Sequence, residues 1–191
     1  MVDDFITYLQ NKFTITNEEI AIIKGVCRLK KLRKRQYLLQ EGDMWRYNAF
    51  VTSGLLRTFR VDDKGQEHII QFSSENWWSG DRYSYVYDAP ARSNIEALED
   101  TEVVMILKGD FEMLYRAVPN FSDFMHVLVE RSFIASQERI HAGISLTAEE
   151  KYLDFIKTYP SLVSRVPQHM IASFLGLTPE TLSRIRAKKS L

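Results

Sequence analysis

The C-terminal segment 166–191 carries the pattern that most constrains the fold. A short amphipathic stretch, Gln168 to Leu175, runs into Gly176, and a second helical stretch opens at Thr178. Gly176 can adopt the positive φ that a sharp turn between packed helices needs. Thr178 suits the N-cap of the second helix, and Pro179 suits its first position. Apolar residues recur at helical spacing in both stretches and predict one shared seam: Ile171, Ala172, Leu175, Leu177, Leu182 and Ile185. The segment therefore predicts a helix-turn-helix.

The second of these helices would carry its polar and basic residues away from the seam. They are Glu180, Thr181, Ser183, Arg184, Arg186 and Lys188. A buried rear and a polar, basic front are what a helix needs to enter the major groove of DNA. An ordinary helical hairpin is the alternative, and the charge on the second helix favours the DNA-binding interpretation.

Charge is balanced over the whole chain but not along it. The 191 residues include 25 Lys and Arg and 25 Asp and Glu, so the formal net charge is zero. From residue 165 onward, however, five basic residues stand against one acid, Glu180. A basic end on a neutral body indicates a polyanionic partner held at that end. With 45% hydrophobic and 26% charged residues, the composition is that of a globular protein.

Several classes of protein are excluded by what the chain lacks. Cys27 is the single cysteine, so an intrachain disulfide and a cysteine-based metal centre are excluded; we expect a small buried residue there, with a redox role as the alternative. The four histidines (His68, His126, His141 and His169) show no ligand spacing. The sequence has no apolar run of membrane-spanning length, and its first residues do not form a secretory signal pattern. We therefore expect no metal, no membrane partner and a cytoplasmic location.

Between about Leu32 and Ile106 the pattern changes to short strands separated by turn residues. The strands predicted there include QYLLQ, YNAFVTS, LLRTFRV, EHIIQF and EVVMI, separated by EGD, SG, DDKG and SGD. Strands at this spacing predict an antiparallel barrel or roll. Two short helices precede them, the second starting at Thr16.

Helical patterns return after Gly109. Asp110 is a plausible N-cap for a short helix that ends near Pro119, and a longer helix follows over about 120–141. Its mixed stripe has alternating spacings of three and four and comprises Phe121, Phe124, Leu128, Arg131, Ala135 and Glu138. Such a stripe favours pairing with a twin helix in a homodimer, and packing on its own roll is the alternative. The pattern Thr147 to Glu150 predicts a further helix start.

These elements predict an α+β chain in three parts. They are an antiparallel β-roll sensor domain with N-terminal helices (1–110), connecting and dimerisation helices (111–143), and a helix-turn-helix DNA-binding domain (144–191). The layout resembles that of the CRP/FNR transcription regulators. The motifs that carry the resemblance are Leu39-Gln-Glu-Gly-Asp43, Phe50-Val-Thr-Ser-Gly-Leu-Leu-Arg57, Ser79-Gly-Asp81, Asn94-Ile-Glu-Ala-Leu98, Ile171-Ala-Ser-Phe-Leu-Gly176 and Thr181-Leu-Ser-Arg-Ile185.

The resemblance implies a cupin-like roll of the cyclic-nucleotide-binding type, a long dimerisation helix and a winged-helix-like helix-turn-helix. It also implies a sequence-specific regulator whose partners are double-stranded DNA, a second copy of the chain and RNA polymerase.

Arg184 aligns with the arginine of the family that reads a guanine, and Glu180 with the acid that accepts from a cytosine amino group. Pro179 stands where many members have a second base-reading residue, and a proline ring cannot make that contact. Phosphate contacts are expected from Ser183, Thr178, Thr181 and Gln168, with simple capping as the alternative for Thr178 and Gln168. Arg186 and Lys188 complete the expected DNA-binding set.

The resemblance also suggests an effector site in the roll. Cyclic-nucleotide-binding members hold the ligand with a Gly-Glu pair and an Arg-Ser or Arg-Thr pair about ten residues later, and this chain has Gly80-Asp81 and Arg92-Ser93. Asp81 is one methylene shorter than the family's glutamate. Three tyrosines fill the intervening segment, and Arg92 falls one place from the family's arginine. A cyclic nucleotide, another small ligand and no ligand therefore all remain open.

An enzyme on a cupin-like roll would need a cluster of histidines with a carboxylate, and only His68 lies in the strand region. The sequence also lacks a nucleophile elbow, a P-loop and a metalloprotease motif. We therefore expect no enzymatic activity. The alternative function is a cyclic-nucleotide-binding regulatory module that acts through a protein partner.

Overall fold

The computed structural model describes residues 2–189, except for the side chain of Lys189. The helices are α1 (Val2–Gln10), α2 (Asn17–Val26), α3 (Arg82–Tyr87), α4 (Lys108–Ala117), α5 (Pro119–Ser145), α6 (Ala148–Thr158), α7 (Gln168–Leu175) and α8 (Pro179–Lys189), with a 3-10 turn at Pro160–Leu162. The strands are β1 (Arg28–Leu32), β2 (Tyr37–Leu39), β3 (Tyr47–Ser53), β4 (Leu56–Val61), β5 (Glu67–Ser73), β6 (Trp78–Ser79), β7 (Asn94–Ala97) and β8 (Thr101–Leu107).

The chain forms two compact units. One consists of the residues up to Val61 together with Ile70–Leu128, and the other of Asp62–Ile69 together with the residues from Val129 onward. The tip of the β4–β5 hairpin is therefore grouped with the C-terminal helices. The three-part division that we draw from the sequence stays a prediction.

The first unit contains the predicted antiparallel roll. Its strands form two four-stranded sheets, in the orders β1-β8-β3-β6 and β2-β7-β4-β5. All five strand segments predicted from the sequence are present, and β1, β6 and β7 are additional. The sequence of β1, RLKKL, is dominated by basic residues and gives no alternating apolar signal.

Two hydrophobic clusters stabilise this unit. The cluster between the sheets includes Leu39, Trp45, Leu56, Ile95 and Val103. The other covers the opposite face of the first sheet with side chains from the helices, and its members include Phe5, Ile23, Phe50, Phe111 and Phe121. Burial of each such side chain contributes on the order of 2 kcal/mol, so the helices and sheets hold each other in place.

The helices after β8 differ in detail from the sequence prediction. Helix α4 begins at Lys108, with Leu107 as N-cap, so the predicted N-cap Asp110 is wrong. Asp110 lies instead in the first turn, where a negative charge favours the helix dipole. Helix α5 begins at Pro119, because a proline at the first helical position loses no hydrogen bond.

The prediction that the α5 stripe pairs with a twin helix is wrong for the first half of the stripe. Phe121 is fully buried in the helix-covered core, and Phe124 and Leu128 pack against that core. These side chains therefore face their own roll, as in the alternative considered for the sequence. The apolar residues of α5 that are exposed lie on other faces: Val127, Val129, Phe133, Ile134, Ile140 and Ile144.

The second unit contains α6, α7 and α8. The predicted capping box at the start of α6 is present, since the Thr147 side chain accepts from the Glu150 backbone and the Glu150 side chain accepts in return. The buried residues of these helices and their connections are Tyr152, Phe155, Leu162, Val166, Ile171, Ala172, Leu182 and Ile185. Residues 146–189, as described, include no strand, so the expected likeness to a winged helix extends to its helices alone.

Among the described helices, none combines the length and the apolar character needed to cross a bilayer. Within residues 2–189 the side chains also form no group of three or more potential metal ligands.

Candidate DNA-binding surface and effector corner

The predicted helix-turn-helix is formed by α7, Gly176 and α8. Gly176 has φ 66° and ψ 33°, which is the left-handed conformation that ends many helices. The N–H of Leu177 donates to the carbonyl of Ala172 at 2.9 Å and closes the turn. Ile171, Ala172, Leu182 and Ile185 of the predicted seam are buried, whereas Leu175 and Leu177 are partly buried. The seam therefore sets α8 with one face against α7.

A chain of side-chain hydrogen bonds organises the start of α8. The Thr178 hydroxyl accepts from the N–H of Thr181 at 3.2 Å, so Thr178 is the N-cap. The hydroxyls of Thr178 and Thr181 are 3.2 Å apart. The Arg184 guanidinium donates to the Thr181 hydroxyl at 3.3 Å. These contacts hold the Arg184 side chain along the exposed front of the helix.

Glu180 lies beside this chain and is exposed. Hydrogen bonds from its own backbone N–H and from the Thr178 hydroxyl, together with the nearby charge of Arg184, lower the pKa of the Glu180 carboxyl. The carboxylate is therefore ionised at neutral pH and can accept a hydrogen bond from a base amino group.

Most of the remaining residues predicted to contact DNA are also exposed. Ser183, Arg184, Arg186 and Lys188 are exposed on α8. Gln168 differs, because it is partly buried and its Oε1 atom is enclosed without a hydrogen-bond partner among the described residues. This burial could not be predicted from the sequence, because Gln168 has the pattern of an ordinary helix start.

The predicted effector residues Gly80, Asp81, Arg92 and Ser93 meet in one corner of the roll. The Oδ1 atom of Asp81 accepts from the N–H of Ser84 at 2.8 Å and caps α3. The Oδ2 atom of Asp81 accepts from the backbone N–H of Arg92 at 3.1 Å. Asp81 is 5% exposed. Because each of its carboxylate oxygens accepts a backbone N–H, both oxygens help to hold the 81–92 loop together.

The other members of the corner also have partners within the protein. The Arg92 guanidinium carbon lies 3.4 Å from the centre of the Tyr83 ring, which covers one face of the guanidinium. Ser93 is buried and accepts from the Nε of Arg60 at 3.3 Å. At Gly80 a Cβ atom would stand 2.7 Å from Nε1 of Trp45, so the space admits only glycine.

Helix α3, which forms in the tyrosine-rich segment between the two halves of the corner, was not predicted from the sequence. Asp81 and Ser84 have the spacing of an N-cap and its backbone donor, and this was the available signal. Arg60 and Trp45 are distant in sequence from the predicted site, and local patterns do not indicate their part in it.

Comparison with known proteins gives three kinds of likeness. The family model of the cyclic nucleotide-binding domain matches residues 29–117. The regulatory protein HlyX of Actinobacillus pleuropneumoniae is 24% identical over 185 residues, covering 91% of this chain and 76% of that protein. The transcriptional activator protein anr of Pseudomonas aeruginosa is 26% identical over 175 residues, covering 84% and 69%.

Among solved structures, FixK2 from Bradyrhizobium japonicum superposes with a TM-score of 0.73 at 19% identity and covers 85% of this chain and 84% of that chain. At this identity the likeness supports the fold and says nothing of ligands. The matched domain, the relatives and the helix-turn-helix that follows the roll agree with each other. Together these findings support the identification of this chain as a transcription regulator of the CRP/FNR type.

Proposed function

We propose that this regulator binds double-stranded DNA as a homodimer and reads base sequence with the front of α8. One observation carries the proposal: the rear of α8 is buried at Leu182 and Ile185, while Arg184, Arg186 and Lys188 are exposed on the same helix. A helix held in this way can enter the major groove, which is wide enough to admit it. Within residues 2–189 we find no comparable feature that favours action through a protein partner instead of DNA.

Base recognition would depend chiefly on Arg184 and Glu180. The planar guanidinium of Arg184 can donate two hydrogen bonds to O6 and N7 of a guanine, and the ionised Glu180 can accept from a cytosine. The ring of Pro179 has no donor, so the base beside it is read by shape or is not read. Ser183, Arg186 and Lys188 would contact phosphates, which fix the register of the protein on the duplex.

Gln168 and Thr178 have smaller parts in this proposal. The Thr178 hydroxyl is engaged as the N-cap of α8. The side-chain oxygen of Gln168 is buried. We therefore propose that these two residues support the helices, and that phosphate contacts from this region come from backbone N–H groups.

Dimerisation would use the second half of α5. Phe133, Ile140 and Ile144 are 64%, 58% and 82% exposed, and with Gln137 they follow spacings of four, three and four residues. This is the spacing at which paired helices meet in a coiled coil. A two-fold dimer would present its two copies of α8 to half-sites about 34 Å apart.

The roll of this chain has the cyclic nucleotide-binding fold, and a cyclic nucleotide is a candidate effector, but the groups of its corner already make contacts within the protein. Each oxygen of Asp81 accepts one backbone N–H group, and one face of the Arg92 guanidinium lies against Tyr83. We therefore assign no step of the mechanism to a cyclic nucleotide. A non-enzymatic role in the cytoplasm, with RNA polymerase as a further partner where target genes are activated, belongs to the same proposal.

Selection of bound duplexes from a random library tests the proposal. We expect enrichment of a two-fold symmetric motif, unchanged by added cyclic nucleotides, and an affinity that falls steeply with salt. The matched control removes three positive charges elsewhere (Arg28→Ala, Lys30→Ala and Arg33→Ala), against the same loss from α8 (Arg184→Ala, Arg186→Ala and Lys188→Ala). Equal effects of the two triple variants, or no affinity for DNA at low salt, would contradict the proposal.

A further inference from the structure

Strand β5 stands at the edge of the second sheet, next to β4 alone. An edge strand leaves a row of backbone N–H and C=O groups that need partners other than a neighbouring strand. Glu67 and Ile69 are two residues apart at the start of β5, so their backbone groups point to the same side of the strand. Ile69 is 7% exposed, so its N–H is largely out of reach of water.

A single side chain from α7 meets both of these backbone groups. The N–H of Ile69 donates to the Ser173 hydroxyl oxygen at 3.0 Å. The same hydroxyl donates to the carbonyl of Glu67 at 3.2 Å. A serine hydroxyl has one proton to donate and lone pairs to accept with, so it can serve a donor and an acceptor at once. We call this pair of hydrogen bonds the Ser173 bridge, and all three of its residues lie in the second unit.

The neighbours of Ser173 on α7 have other tasks. Ala172 is buried in the seam with α8. The ring of Phe174 lies 5.8 Å from that of Phe155 and 6.2 Å from that of Tyr159, both of which are near the end of α6. Helix α7 is therefore attached through the seam, through the ring of Phe174 and through the Ser173 bridge, which consists of directional hydrogen bonds.

We propose that Ser173 is a positioning residue for DNA recognition, because its bridge to the edge of β5 fixes the helix from which α8 is presented. The inference rests on the proposed function of α8. An element that is already fixed loses less conformational entropy when it binds, and its base-reading side chains meet the groove in one orientation. Contacts to phosphate tolerate small shifts of the helix, whereas bidentate contacts to a base edge do not.

The test compares Ser173→Ala, which removes the hydroxyl, with Ser173→Thr, which keeps it. Ser164→Ala, at an exposed serine of the same unit, is the matched control. For Ser173→Ala we expect faster hydrogen exchange at the Ile69 amide and a loss of affinity for the selected DNA site of about tenfold, as two weak neutral hydrogen bonds would supply. Affinity for random DNA should stay unchanged. Ser173→Thr and Ser164→Ala should keep the original values.

Two results would overturn the inference. Unchanged exchange at Ile69 in Ser173→Ala would mean that the bridge does not form in solution. Faster exchange with an unchanged ratio of specific to random affinity would mean that Ser173 holds the hairpin and does not position α8. If Ser173→Ala does not fold, Ser173→Cys, with its weaker donor, takes its place and should show smaller changes of the same sign. Failure of the proposed function is distinguishable, because the unmodified protein would then show no preference for any DNA sequence.

Discussion

The carboxylate of Asp81 accepts the backbone N–H of Arg92 at 3.1 Å, and this contact joins the two halves of the predicted effector site to each other. The resemblance to cyclic-nucleotide-binding proteins implies that an acid and an arginine at these positions would face a ligand. Here the acid holds the loop through the backbone of Arg92, and the Arg92 side chain lies on Tyr83. The corner is thus organised by contacts within the protein.

Replacement of Asp81 should therefore act on stability. We expect Asp81→Ala to lower the free energy of unfolding by about 2–3 kcal/mol, because two backbone N–H groups lose a charged acceptor and α3 loses its cap. Urea unfolding measures this. Asp63→Ala, at the exposed hairpin tip, is the control and should have little effect. Equal stabilities of the two variants would show that the Asp81 contacts contribute nothing.

Arg184 and Lys188 should differ in what they contribute to DNA binding. Arg184→Ala should weaken binding to the selected site by about 1–3 kcal/mol and relax the preference at one base pair, since a bidentate base contact is lost. Lys188→Ala should weaken binding to all sequences alike and lower the salt slope by about one unit. Titrations at two salt concentrations separate these effects. Equal losses on specific and random DNA for Arg184→Ala would contradict its assignment as a base reader.

Helix α5 supplies a direct test of the dimer. Ile140→Asp would place two carboxylates in the proposed interface, so we expect the dimer to weaken by about 3 kcal/mol, or roughly 100-fold. Sedimentation velocity measures the association state. Ala135→Asp is a matched control, because residue 135 faces away from the seam of Phe133, Ile140 and Ile144. A dimer disrupted by Ala135→Asp and not by Ile140→Asp would favour the stripe drawn from the sequence instead.

A buried ion pair on the second sheet should be sensitive to loss of one partner. The Nε of Arg57 donates to the Oε2 of Glu96 at 2.6 Å, and both side chains are largely buried. Glu96→Gln removes the negative charge and leaves the guanidinium desolvated, which should cost about 3–5 kcal/mol of unfolding free energy. Glu102→Gln breaks the more exposed pair with Lys31 and should cost about 1 kcal/mol or less. Thermal unfolding compares the two, and a larger loss for Glu102→Gln would contradict this assignment.

Cys27 should be unreactive in the folded protein. Burial raises the pKa of its thiol to about 12, so the thiolate is scarce at neutral pH. Alkylation at pH 8 should be slower than for an unfolded cysteine by roughly three orders of magnitude. Because the pKa of the thiol is higher in the folded protein than in the unfolded one, Cys27 does not lower the free energy of unfolding below about pH 8.5. Above that pH the unfolded thiol ionises first, so the free energy of unfolding falls as the pH rises toward 12. Mass spectrometry of native and urea-unfolded protein measures the rates, and similar rates would contradict a buried thiol.

Much of the helix-turn-helix was predictable because its signals are local. A threonine N-cap, a glycine in the left-handed region and apolar residues at helical spacing act over one to four residues. The buried positions of the seam follow from that spacing. Five strands of the roll were predictable for the same reason, whereas β1 was missed because its place in the sheet depends on pairing with β8 and not on its own pattern.

The sequence by itself determined the helix-turn-helix, most strands of the roll and the basic front of α8, and the family resemblance implied that Gly80, Asp81, Arg92 and Ser93 share one corner. The tertiary structure alone decided what those groups do with one another. The bond from Arg92 to Asp81 spans 11 residues, that from Arg57 to Glu96 spans 39 and that from Ile69 to Ser173 spans 104. Contacts of this kind depend on how sheets and helices pack. Local sequence patterns therefore do not predict which distant polar group will contact a given side chain.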